Sequence, residues 1–326
     1  YLVAGHVTNE GDRISIKFRI YDILLKKELE GVRVSGSFRK AAHAAADKIY
    51  ERITGEAGFF CTRFLLVESY ALGKKIYKKL VLVDQDGQGR KEVVSNKEKF
   101  VLSAKAAPDG TIAYLAIVDN KIHLYYKNRI ISQDKDKHYA FNFLNNDELI
   151  ISSAKKGTSA LYLLDLHSFQ KTLLTEHRSI HTSPSPSHES NKILYTSDER
   201  GVEKVYVMDK DGTNRIKISQ GDGKYSQPCW SPRGDLVAFV KQKKGSFYLG
   251  VMGCEGESER LIHSSYLIER PCFAENGRYI SFVEGERSGR SKICMIDITG
   301  NPLSYRCIRT KGSACDVSWI GKKKSA

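Results

Sequence analysis

In DRISIKFRIYDI, Ile14, Ile16, Phe18 and Ile20 alternate with Arg13, Ser15, Lys17 and Arg19, the period-two pattern of a half-buried strand. YLVAGHVT before it is joined through NEGD, a hairpin signal, and ELEGVRVSG offers a third strand. The period then changes. From Arg39 to Thr54, the residues Ala42, Ala45, Ala46, Ile49 and Ile53 recur at helical spacing. Ser37 stands at the N-cap position, and Gly55 stands where a glycine in left-handed conformation ends a helix. Residues 1–57 read as a small α/β domain, expected to be truncated at its N-terminus. Nothing helical follows.

From residue 58 onward the pattern repeats. Ser183–Gly212, Ser226–Gly256 and Glu269–Gly300 each carry a proline, a polar turn, an apolar strand, a second turn and strand, and a closing glycine. The strand aromatics Tyr195, Phe239 and Phe282, and the glycines Gly212, Gly256 and Gly300, recur at intervals of about 43 residues, the length of one propeller blade. Tyr114 and Ile151 extend the series upstream with decay. Six of the seven prolines lie at expected repeat starts, where a missing amide donor does no harm. Near the C-terminus, Trp319 matches Trp230 and Phe273, but no further strands follow it. That orphan strand is expected to complete the blade opened near Thr62 and so leave no open edge. The expectation is a mainly β chain: a six-bladed β-propeller over residues 58–326, closed by its C-terminal strand and preceded by the α/β domain at 1–57.

Composition narrows the function classes. No run approaches the roughly 18 apolar residues of a membrane-spanning helix. The formal net charge is +14. The charges are dispersed, so they read as a solvated basic face and not as a nucleic-acid stripe. The one dense cluster, Lys322–Lys324, sits at the terminus and reads as a frayed tail. Seven cysteines are present and none forms CxxC, which removes the main zinc-ribbon and thioredoxin signals. The sequence leaves open a disulfide such as Cys307–Cys315, and small buried hydrophobes account for most of the thiols. His43 and Asp47, four apart on the helix, lack a third ligand and read as a polar pair near the domain junction.

AHAAADKIYERITGEAGFFCTRF, at the junction, resembles the linker segment of the TolB family, the periplasmic propeller proteins of the Tol–Pal system. Ala42, His43, Ala46, Asp47, Ile49, Tyr50, Thr54, Gly55, Gly58, Phe60, Thr62 and Arg63 match that pattern, and Ile53 and Phe64 are conservative departures. The resemblance implies an exported, monomeric scaffold without cofactor or catalysis. It implies binding of the lipoprotein Pal on the propeller and of TolA through an N-terminal segment expected to be missing here, in the service of outer-membrane integrity and cell division.

Enzyme readings find less support. No GxSxG nucleophile elbow occurs, and 57 residues are too few for a hydrolase domain. A lactonase-like metal hydrolase needs carboxylates from several blades around the axis. DQDG (84–87) and DKDG (209–212) lack the bidentate glutamate of a calcium loop and read as β-turns. Before the repeat prolines stand Lys137 and His138, His181 and Thr182, Tyr225 and Ser226, and Glu269 and Arg270. These four pairs are expected in loops entering the innermost strands, as a ring around one channel mouth. Their mix of Tyr, His, Arg and hydroxyl groups suits a protein interface, and in the resembling family the mouth is where Pal docks.

Overall fold

In the computed structural model, residues 1–94, 99–132, 137–187 and 191–321 are described. Lys322–Lys324 lies outside them. Leu2–Glu10, Arg13–Asp22 and Lys27–Gly36 form a three-stranded antiparallel sheet, and the helix Phe38–Thr54 packs on it. The helix buries Ala41 and Ala45, with Ala45 packed against Phe18 and Ile20, a slightly different stripe from the one the spacing suggests. Gly55 ends the helix at φ +74°, and its amide donates to the carbonyl of Glu51 at 2.9 Å. Ser37 precedes the helix without a side-chain capping bond.

Among the described residues, six four-stranded antiparallel sheets follow. The first joins residues 63–94 to the last strand, Ser313–Ile320. The others occupy residues 100–130, 137–173, 181–217, 224–265 and 267–308 in turn. Their innermost strands are Ser313–Ile320, Phe100–Ala106, Lys137–Phe143, His181–Pro186, Lys224–Trp230 and Leu267–Phe273. Each innermost strand lies against the next, and Ser313–Ile320 lies against Phe100–Ala106, so the sheets close a ring about a central channel. No sheet of this size buries both faces alone, and here the apolar faces of neighbouring sheets pack on one another. Phe239 with Leu194 and Val205, and Phe282 with Val240 and Leu249, fill two such layers.

The ring's seam is pinned by the C-terminal strand. Trp319 lies opposite Phe64, and its indole N–H donates to Thr62 Oγ1 at 2.7 Å. The junction segment is tied in here too. Phe59 packs edge-on to Trp319 at 5.9 Å and to Tyr50 of the helix at 5.6 Å. Asp47 accepts the Phe60 amide at 2.7 Å, and Gly58 is required there, since a Cβ would fall 2.4 Å from the Asp47 carboxylate. Arg39 donates to Asp84 and Asp86, and His43 Nε2 lies 3.2 Å from Asp86 Oδ2. Asp47 and His43 thus have separate partners, and the DQDG turn is a docking point for the helix. Gly87 and Gly212 each close a tight turn, at φ +83° and +87°, with amides donating to Asp84 and Asp209. Among the described residues no helix is long and apolar enough to cross a membrane.

One question the sequence left open is answered, and one expectation is corrected. A disulfide joins Cys294 to Cys307, and Cys307 does not pair with Cys315. Cys294 and Cys307 stand directly opposite on paired strands, with Cα atoms 4.0 Å apart, whereas Cys315 is a free thiol on another sheet. The prolines Pro184, Pro228 and Pro271 do not start the inner strands. They sit inside them, at a β-bulge that follows a residue of positive φ (Ser183, Gln227 and Arg270). A bulge leaves its extra residue outside the ladder, so the missing amide costs nothing there.

Candidate functional site

The bulges decide what faces the channel. Before each one, His138, His181, Tyr225 and Ile268 occupy the same place in their sheets, paired with Ser153, Ser197, Lys241 and Glu284. All four are buried between neighbouring sheets. The next residue points the other way along the pleat. Thr182, Ser226 and Glu269 fall there and are part-exposed. Lys137 is exposed at the start of its strand. Arg270 belongs one position further on, level with Ser183 and Gln227. Neither Glu269–Arg270 nor Lys137–His138 is therefore equivalent to His181–Thr182; each is out of step by one residue, in opposite directions, and the eight residues lie in strands instead of entry loops.

Two of the buried members have a visible structural task. Tyr225 OH donates to Glu259 at 2.7 Å and accepts from Lys241 Nζ at 2.5 Å. Burial, with the Glu259 carboxylate, pushes its hydroxyl up to about 12. The His181 carbonyl accepts from Ser152 Oγ at 2.7 Å and from Ser159 Oγ at 2.8 Å, and its ring meets Tyr195 at 5.7 Å. Burial holds the His181 imidazole below its usual range, toward the neutral form.

Past the bulges the channel widens into a cavity of about 240 Å³. One layer of it comes from a single repeat position in all six sheets: Lys105, Asn142, Ser185, Cys229, Cys272 and Ser318. Arg270 also lines the cavity and is the only one of the eight expected residues that does. Its backbone N–H donates to Gln227 Oε1 at 2.5 Å, and its Nε lies 3.6 Å from Asp316 Oδ1. Asp316 is buried and fully engaged. It accepts from Ser103 Oγ at 2.7 Å and from the amides of Ala104 and Val317 at 3.0 Å each.

No Asp or Glu is among the described residues that line this cavity, so it offers no carboxylate cage for a divalent cation. Elsewhere, the one close group of His, Cys, Asp and Glu side chains among the described residues is Glu284, Cys294 and Cys307. Its two sulfurs are already joined to each other. What the channel offers instead is two cations, amides, hydroxyls and thiols. The sequence reading missed this layer, although its signal was in the repeat. The layer residue follows the repeat proline in Pro184–Ser185, Pro228–Cys229 and Pro271–Cys272.

The profile of the TolB beta propeller domain matches residues 50–322. This chain belongs to the TolB family. It is 37% identical to the Tol-Pal system protein TolB of Rickettsia peacockii (strain Rustic), over 98% of this chain and 77% of that one. With the protein of the same name from Gluconobacter oxydans (strain 621H) it shares 31% identity, over 97% of this chain and 73% of that one. The crystal structure of TolB from Acinetobacter baumannii superposes with a TM-score of 0.89, covering 98% of this chain and 82% of that one. At 20% identity that likeness speaks for the fold, a mainly β TolB propeller. The junction motif read from residues 42–63 thus pointed to the right family.

Proposed function

We propose that this chain is a non-catalytic scaffold of the Tol–Pal system in the periplasm. In this reading residues 1–57 form a small α/β domain and residues 58–326 a six-bladed propeller whose mouth binds the lipoprotein Pal. TolA is the second partner, engaged through the N-terminal side, and the assembly serves outer-membrane integrity and cell division. The observation that carries the reading is the run of relatives named Tol-Pal system protein TolB, at 31–37% identity over nearly the whole chain.

The channel wall supports it chemically. Lys137, Thr182, Ser226, Glu269 and Arg270 offer charge and hydroxyl groups with some exposure, as a protein interface needs. His138, His181 and Tyr225 are the buried supports behind them. Within this reading the exposed residues meet the partner, and the buried ones hold the wall in place.

Calorimetry against the cognate Pal tests the reading. A Lys137→Glu, Glu269→Lys variant, which leaves the Arg270–Asp316 contact at the seam intact, should bind more weakly by about 2 kcal/mol or more, with its melting temperature kept. Unchanged affinity would remove the mouth as the docking site. A wild-type chain that fails to bind Pal at all would overturn the scaffold reading.

A further inference from the structure

Cys229 and Cys272 occupy the same repeat position on neighbouring innermost strands, paired with Ala238 and Ser281. Those two strands lie side by side, and both cysteines line the channel cavity. Both are part-exposed and unbridged. The pair is anchored on both sides. The Trp319 amide donates to Cys272 Sγ at 3.3 Å, and Cys229 Sγ lies 3.5 Å from the carbonyl of Trp230. Lys105 contributes its cation to the same layer.

We propose that Cys229 and Cys272 form a reversible dithiol–disulfide site inside the channel, oxidised by a small-molecule disulfide that enters the cavity. A pair of thiols kept only for packing would be expected in the apolar layers between sheets. This pair instead faces an open polar cavity, beside a cation.

The chemistry has a defined order. The neighbouring Cys229 side chain lowers the Cys272 thiol to about 7, against the opposing effect of burial, and Lys105 adds to the lowering; Cys229 is pushed up as its partner. A thiol near ambient pH is the better attacking group. Cys272 Sγ, as thiolate, attacks one sulfur of R–S–S–R, and the S–S bond breaks to release R–S⁻, which takes up the proton that Cys272 lost. Cys229 then gives up its proton, its sulfur attacks Cys272 Sγ in the mixed disulfide, and the second R–SH departs. The two protein thiols lose two electrons and two protons, and the small disulfide gains them. The product staples the fifth and sixth sheets together across the channel wall.

The full chain, freed of reductant, is incubated with oxidised glutathione. Free thiols are then alkylated and the digest is mapped by mass spectrometry. The expected result is a peptide pair joining Cys229 to Cys272, lighter by two hydrogens and undone by dithiothreitol, with Cys254 and Cys315 alkylated. Alkylation of both channel cysteines, or a link from either to Cys315, would overturn the assignment. In Cys229→Ser the reaction should stop at glutathione on Cys272, formed about tenfold or more faster than on Cys254. Equal rates at the two positions would show that Cys272 is not activated. If that variant fails to fold, the wild-type map decides alone.

Discussion

Asp316 and Ser103, 213 positions apart, are joined by a 2.7 Å hydrogen bond between the last strand of the chain and the second sheet. The same carboxylate takes the Ala104 and Val317 amides and stands 3.6 Å from Arg270. One buried side chain thus ties the first, second and sixth sheets at the seam of the ring.

Asp316→Ala should therefore cost about 3 kcal/mol or more, because it strands buried donors and leaves Arg270 without its counter-charge. Urea unfolding should show a lower midpoint with an unchanged slope. A loss under about 0.5 kcal/mol, the size of an ordinary surface change, would mean that the carboxylate is not holding the seam.

Removing residues 313–326 takes away the innermost strand of the first sheet and bares Arg63–Leu72. An open edge beside the apolar residues Phe64 and Leu66 is a template for pairing with another chain. The truncated protein should melt lower and elute as dimers or larger species in size-exclusion chromatography. A monomer with the parent melting temperature would refute the closure.

Gly55→Val tests the helix end. A Cβ at this position meets nothing within 4 Å, so any penalty comes from the backbone at φ +74° and not from a clash. The expected loss is about 1 kcal/mol or more. Gly55→Asn should lose less, since Asn tolerates the left-handed region. Equal stability of the valine and asparagine variants would refute the backbone account.

Glu284 predicts a pH dependence. Burial raises its carboxyl, but the nearby His263 ring, the hydrogen bond from Tyr305 and the Ser265 side chain outweigh that and hold it at about 2. The folded value is depressed, so the associated stability is present above the ordinary carboxylate range and is lost as pH falls from about 5 toward 2. The contribution is on the order of 2 kcal/mol at neutral pH. The stability gap between wild type and Glu284→Gln should be largest near pH 7 and shrink across that window. A gap that is flat between about pH 6 and about pH 3 would show that the carboxylate is not the group titrating.

The repeat was legible in the chain because strand period, turn glycines and the interval between strand aromatics are local properties. Gly87 and Gly212 had to take positive φ wherever their sheets went, and Gly55 had to end the helix. Trp319 announced an orphan strand by matching Trp230 and Phe273, and in the structure that strand pairs with Arg63–Leu72. What tertiary structure decided is which side chains face the channel. A bulge between Thr182 and Ser185, Ser226 and Cys229, and Glu269 and Cys272 adds one residue to each inner strand. Because side chains alternate with period two, that single residue reverses every assignment across it. It sent His181 and Tyr225 into the core and left Arg270 in the cavity. Long-range pairing decided the rest. Cys294 found Cys307 by lying opposite it, Cys229 met Cys272 across two sheets, and Asp316 met Ser103 only because the ring closed.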